Sequence, residues 1–583
     1  MEYQVTGSEA FTIGFKEKRS EKGLMLLTVS AKAKKEAGKL TLRVDWTVPD
    51  VGVNVTWAPC RFREKSIIPD WAGYEESYAM HSAPVYVDAA FDDTNRQTIA
   101  CMDGLNRVKI RTGVVEETGN LVCSVVILVD HPVSEYSTQI RIDTREIPFY
   151  KAVEEVSRWW EAKKEHAPAP VPEAATEPLY SAWYSYHQRI DVEAIVKECQ
   201  AFGKLGCKVL IVDDGWQTDN NERGYAYCGD WQAHPAKVPD MKAFVDAVHG
   251  TGMKFMLWYS VPYVGEYSKA YERFKDKMLK LSGHADGKTW VLDPRYPEVR
   301  DYLIGLYCKA VKEWGLDGFK LDFIDSFTPS DVVKEGMDYT AVYDAVDRLM
   351  KDVIAALKKL KEDILIEFRQ SYIGPLMRTY GNMFRVGDCP CDSLSNRLGA
   401  LSLRMTSGST AVHSDMVMWS GKESPEQAAF QLTNVLFAVP QISVKYDQIT
   451  KKQAQMVKQY LKFWKTYKEV LLTGTMFYKG YASNFSYVSS RKGNTQVGAV
   501  YSGKIAYIEE MTEKIALVNA SLEQEILIEC KEEGASQEIY HCQIYDCCGK
   551  LTAEGETEIT ALTLIKYVPV NGTVILTRKA PIS

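Results

Sequence analysis

The sequence predicts a multidomain α/β plus all-β protein, with a central (β/α)8 TIM barrel flanked by an N-terminal β-sandwich and a small C-terminal β-sandwich. Three observations predict it. Short apolar runs alternate with amphipathic helical stretches through the middle of the chain. Both ends carry short β-type runs broken by turns. The 583 residues exceed one ordinary domain.

Residues 1–163 read as the first sandwich, with strands such as LTLRVDWTV (40–48), APVYVDAAF (83–91) and NLVCSVVILVD (120–130). Residues 164–178 are rich in Pro and Ala and read as a linker or strap. Residues 179–472 read as the barrel. Its apolar runs are CKVLIVDD (207–214), MKFMLWYS (253–260), LDGFKLDF (316–323), ILIEFRQ (364–370), NMFRVGD (382–388) and TAVHSDM (410–416). Strand–helix repetition implies a parallel sheet covered on both faces, and seven or eight units over this length fit a closed barrel. A doubly wound sheet would show a glycine-rich phosphate turn after an early strand, and none is present. The helix over 450–472 closes the barrel. Residues 473–583 return to short strands, including GKIAYIEEM, KIALVNAS, QEILIEC and TVILTRK.

Composition narrows the function. A net charge of −7 argues against nucleic acid or anionic membrane as partner. The start MEYQVTGSEAFTIGF lacks the pattern of a secretory signal, and no run is long enough to span a membrane. Thirteen cysteines without a disulfide framework fit a reducing cytosol, so a cytoplasmic protein is expected. No cysteine pair has zinc-type partners, so no metal and no cofactor are expected.

Barrel enzymes place their chemistry at the C-terminal ends of the strands. Those ends carry Asp213, Asp214 and Trp216; Lys320, Asp322 and Asp325; Glu367, Arg369 and Gln370; Asp388 and Asp392; His413 and Asp415. Buried strands avoid unpaired charge, so five charged strand ends must face polar partners or a polar ligand. Glycoside hydrolysis uses such a set: one carboxylate attacks the anomeric carbon, another protonates the leaving oxygen, and others bind sugar hydroxyls. Structural alternatives stand beside each role. Asp322 could pair with Lys320, Asp213 and Asp214 could cap a helix, and Arg369 could neutralise Glu367. Asp388 could be a turn residue, with Asp392 as its competitor. Trp183, Trp216, Trp231 and Trp258 could all be core.

LIVDDGWQ (210–217), GDWQAHPAKVPDMKAFVDAVHGTGMKFMLW (229–258), TWVLDPRYPEVRDYL (289–303) and GFKLDFID (318–325) carry a resemblance to the α-galactosidases of glycoside hydrolase family 36. The resemblance implies that Asp322 is the nucleophile and Asp388 the acid/base. It implies Asp213, Asp214, Trp216, Lys320 and Arg397 in the sugar pocket, and hydrolysis with retention and without metal. Trp183, Trp258, Arg369 and Asp415 are further substrate-binding candidates. Lys320 lies two residues before Asp322, on the same strand face, and its ammonium would keep that carboxylate ionised. Asp388 would instead be protonated at rest, so the two pKa values are expected to lie apart.

The sequence departs from the family after the fifth strand, where Glu367-Phe368-Arg369-Gln370-Ser371-Tyr372 replaces a cysteine- and glycine-rich loop. Gly387-Asp388-Cys389 replaces Ser-Asp-Asn, and Tyr259-Ser260-Val261-Pro262 replaces a Glu-Pro-Glu type sequence. The expected activity is therefore a retaining, exo-acting α-glycosidase, an α-galactosidase first, on an oligosaccharide or glycoside. The alternatives are another α-glycone such as an N-acetylated galactoside, an α-galactosyl transglycosylase, or a carbohydrate-binding protein without catalysis. Self-association into a homo-oligomer is compatible with this layout.

Overall fold

Alternation decides the first region. Along Gly38–Pro49 every second residue from Leu40 to Trp46 is buried, the period of a strand with one face on a core. In the computed structural model, which describes residues 2–284, 287–531 and 538–579, such strands form two six-stranded sheets. They face each other across Leu27, Val29, Leu42, Ile99, Val125 and Ile140.

Eight strands then form one sheet: β1 (Leu179–Ser181), β2 (Val209–Val212), β3 (Lys254–Ser260), β4 (Gly318–Asp322), β5 (Leu365–Arg369), β6 (Met383–Arg385), β7 (Ala411–His413) and β8 (Gln441–Ile442). Neighbours are parallel, and β8 returns to β1. Parallel bridges His413–Val439 and Val417–Ile442 join the β7 segment to the β8 segment and close the ring. The closed (β/α)8 barrel between two sheet-rich regions is the predicted architecture.

The helices stop where local chemistry stops them. Asp191 caps Val192–Leu205 by accepting from the Ala194 N–H, and Gly206 at φ 129° ends it. Lys451–Thr473, the predicted closing helix, begins with a Thr450/Gln453 capping box.

Two features were not legible in the pattern. A three-stranded antiparallel sheet (Tyr263–Gly265, Met278–His284, Gly287–Leu292) stands between β3 and β4. The stretch 164–178 lies against the barrel rather than hanging free. Its Ala175 packs with Leu179, Val209, Ile211, Met256, Leu365, Met383 and Ala411, and its carbonyl accepts from His413 Nε2 at 2.7 Å.

A seven-stranded and a three-stranded sheet follow, around Ile515, Leu517, Ile526, Ile528 and Leu576. One continuous core joins the three regions through Trp57, Val87 and Trp160, the barrel helices, and Val488 and Ala516. The thirteen cysteines are free. No helix among the described residues is long and apolar enough to cross a membrane.

Candidate active site

Side chains on a strand alternate, so the residues two beyond the apolar inner layer also point into the barrel. From Leu179, Ile211, Met256, Gly318, Leu365, Met383 and Ala411 that rule leads to Ser181, Asp213, Trp258, Lys320, Glu367, Arg385 and His413, and Gln441 joins them from β8. All of these except Trp258 are polar and all are buried. The barrel interior thus changes from hydrocarbon to hydrogen-bonded and charged within one turn of the pleat. Two residues further, on β4 and β5, come Asp322 and Arg369.

Asp322 is the most heavily supported carboxylate. Its Oδ1 accepts from the Phe323 N–H (2.8 Å), Arg369 Nε (3.0 Å) and the Tyr372 hydroxyl (2.7 Å). Its Oδ2 accepts from Trp258 Nε1 at 3.1 Å. The Phe323 amide turns back because the chain leaves β4 through a left-handed residue, Phe323 at φ 58°. Burial opposes the charge. Arg369, then Lys320, with the Tyr372 and Trp258 donors, outweigh it and hold the carboxyl well below the usual range. The expected cation therefore acts from one step away: Lys320 is hydrogen-bonded to Asp213, and Arg369 supplies the direct contact. Arg369 does not neutralise Glu367. The loop that carries it is braced by the first sandwich, since Ser371 O accepts from the Ser82 N–H (2.7 Å) and Ser371 Oγ contacts His81 Nδ1 (2.9 Å).

Asp213 and Asp214 end β2 without capping a helix. Asp214 accepts from Gln217 Nε2 (2.7 Å) and Gln188 Nε2 (2.5 Å), and burial pushes its carboxyl up to about 6 despite these bonds.

Asp388 lies two strands along from Asp322, beyond β6. Its side chain is half exposed, against 7% for Asp322. Its Oδ1 accepts from Arg385 Nη2 at 2.8 Å. Burial favours the neutral form, but Arg385, Lys320 and Arg369 prevail and lower its pKa. Here the expectation fails. Neither carboxyl is raised: both are lowered, because each faces an arginine.

Three further expectations need correction, and the competitor to Asp388 finds a structural role. Trp216 is wholly enclosed, its N–H bonded to the Trp258 carbonyl and its ring packed on Trp231, Tyr259 and Trp314, so it is core. Arg397 points to the C-terminal region, donating to Asn434 Oδ1 (2.8 Å) and the Asn484 carbonyl (3.0 Å), with its guanidinium over Tyr501. Asp415 is fully buried and spends its oxygens on Arg385, the Cys389 N–H (2.7 Å) and the Tyr184 hydroxyl (2.8 Å), leaving it a supporting role. Asp392 is the N-cap of Ser393–Thr406, accepting from the Ser395 N–H at 2.9 Å. Asp392→Ala should cost about 1 kcal/mol of stability and leave kinetics unchanged, as melting and turnover measured on one preparation would show. Trp183, just past β1, is partly exposed and stacks on His187 at 3.7 Å.

Sequence reasoning missed Arg385, Tyr372, Gln188 and Gln217. Arg385 had a signal: it stands two residues after Met383 on an inward-facing strand. Tyr372 and the glutamines lie in loops, where no period places a side chain.

Comparison with known proteins finds likeness to α-galactosidases. The melibiase family model matches residues 171–371. The α-galactosidase Mel36A of Lactobacillus acidophilus is 25% identical over 370 residues, 59% of this chain and 48% of that protein. An A type blood α-D-galactosamine galactosaminidase of Flavonifractor plautii is 25% identical over 178 residues, 27% of this chain and 15% of that protein. The chain thus spans about half or less of the length of these curated relatives. A variant of the family 36 α-galactosidase AgaA of Geobacillus stearothermophilus, in complex with 1-deoxygalactonojirimycin, superposes with a TM-score of 0.64 at 15% identity, covering 98% of this chain and 82% of that one. Other AgaA variants were solved with raffinose and with stachyose. The α-galactosidase of Lactobacillus brevis gives a TM-score of 0.62 at 16% identity, covering all of this chain and 86% of that one. The chain resembles the melibiases over the first part of its barrel sequence and shares the fold of the family 36 α-galactosidase structures.

Proposed function

We propose that this chain is a retaining, exo-acting α-glycosidase that removes a terminal α-linked galactose from an oligosaccharide or glycoside. The observation that carries the reading is the hydrogen bonding of Asp322. Oδ1 is occupied by three donors and Oδ2 by one, so a carboxylate kept ionised presents Oδ2 for attack. Oδ2 forms a bond to the anomeric carbon as the glycosidic C–O bond breaks. Its electron pair goes to the leaving oxygen, which takes the proton that Asp388 carries in the protonated fraction of the enzyme. Asp388, now ionised, removes a proton from water as water displaces Asp322, and the original configuration returns. Asp213 and Asp214, buried and bonded to Lys320, Gln188 and Gln217, frame the pocket, and Trp258, Lys320 and Arg369 hold the nucleophile's charge. Free thiols throughout fit a reducing, cytoplasmic setting.

Arg369 favours a second glycone. Its side chain is 22% exposed beside Asp322, and a guanidinium only donates, so an acceptor such as an N-acyl carbonyl near the anomeric carbon would suit it. A panel of 4-nitrophenyl α-glycosides separates the readings. The galactoside should be turned over fastest, with the α-anomer released first by NMR. Faster turnover of the N-acetylgalactosaminide would move the assignment to that sugar. A first-formed β-anomer, or no turnover of any α-glycoside, would defeat the mechanism.

A further inference from the structure

Arg385 is fully buried at the end of β6 and stands among three carboxylates from three parts of the barrel. Nη2 donates to Asp388 Oδ1, Nη1 donates to Asp415 Oδ1, and Nε lies 3.7 Å from Glu367 Oε1. Arg385 Nε and Glu367 Oε1 are both buried without a hydrogen-bond partner among the described residues. Asp415 also accepts from the Cys389 N–H, so it grips the chain on both sides of Asp388: the arginine three residues before it and the amide just after it.

We propose that Arg385 is a positioning residue of the reaction, which aims Asp388 into the pocket by one oxygen and sets the pH range over which Asp388 can hand its proton to a departing oxygen. The inference rests on the acid/base reading of Asp388. The guanidinium contact is to Oδ1 of a half-exposed carboxyl, so Oδ2 is assigned as the proton carrier.

The groups facing Asp388 come from several elements. Arg385 on β6, Lys320 on β4 and Arg369 on β5 favour its anion. Asp415 after β7 opposes it, and its own carboxyl is raised by burial. Glu367 is pushed up to about 7 by burial, so below that pH it does little to offset Arg385. Tyr184 stays a neutral donor to Asp415. The balance is an acid that gives up its proton early. Substrates with poor leaving groups, which need that proton, lose rate first as pH rises. The same ionised state is the one required to take a proton from water in the second half of the cycle.

The test is kcat/KM against pH for methyl and 4-nitrophenyl α-D-galactopyranoside, with wild type, Arg385→Lys, Arg385→Gln and the double variant Arg385→Gln/Asp415→Asn. The double variant removes the buried carboxylate that Arg385→Gln would strand, and so keeps the test open if the single variant misfolds. For the methyl glycoside the basic limb should move up by roughly 1–3 pH units in the neutral variants and return toward wild type with lysine. The nitrophenyl profile should hold, because nitrophenolate departs without protonation. A basic limb that stays put in folded variants, or moves equally for both substrates, would overturn the inference. Asp388→Asn separates this from failure of the underlying reading. Lost methyl glycoside turnover with retained nitrophenyl turnover leaves the acid/base assignment standing while Arg385 is judged alone. Retained methyl glycoside turnover, or wild type inert on both galactosides, removes the assignment and the inference together.

Discussion

Asp322→Asn should abolish turnover, with a loss on the order of 10⁴-fold or more on every glycoside, as for removal of other nucleophiles. The amide has nearly the same shape and carries no charge, so it cannot form the glycosyl ester. The loss should reach 4-nitrophenyl glycosides too, because a good leaving group does not replace a missing nucleophile. The pocket should remain. The amide oxygen would still accept from the Tyr372 hydroxyl, and circular dichroism should be native. Stability should drop, since the partly buried Arg369 loses the carboxylate it faces. A smaller alanine at this position with added azide offers a stereochemical check. Azide would enter from the side vacated by Asp322 and give the β-glycosyl azide. Turnover surviving in folded Asp322→Asn would mean that another group attacks.

Asp388→Asn should behave differently, and the contrast is the informative part. Turnover of alkyl glycosides and oligosaccharides should fall by about 10²–10⁴-fold. Turnover of 4-nitrophenyl glycosides should keep a fast first step and stall at the ester, giving a burst and a low KM. Azide should restore the rate, because an anion needs no base to attack the ester, and the product should be the α-azide, from double displacement. Asp392→Asn should show none of this, because Asp392 holds the end of a helix. The same pattern in Asp392→Asn and not in Asp388→Asn would exchange the two roles.

The sequence by itself determined the fold class and the set of charged strand ends. Period-2 burial in LTLRVDWTV and strand–helix alternation from β1 to β8 are local properties, and they survive into the folded chain because one face of each element must meet a core. The charged strand ends were legible because a charge at the end of an apolar strand has few structural uses, and the family resemblance singled out Asp322 and Asp388 among them. Which cation stands beside each aspartate was not legible. Lys320 shares a strand face with Asp322, yet it bonds Asp213, because closing the ring brings β2 and β4 to either side of β3. Arg369, Tyr372 and Trp258 converge on Asp322 from β5, the loop after it and β3, and no spacing in the chain encodes those distances. Trp216 and Arg397 carry family positions but face the core and the C-terminal region, a matter of side-chain direction rather than order along the chain. Charge is where tertiary structure decided most. Proton affinity depends on burial and on neighbours a few ångströms away; the barrel put Arg369 against Asp322 across 47 positions, whereas Arg385 stands three residues before Asp388.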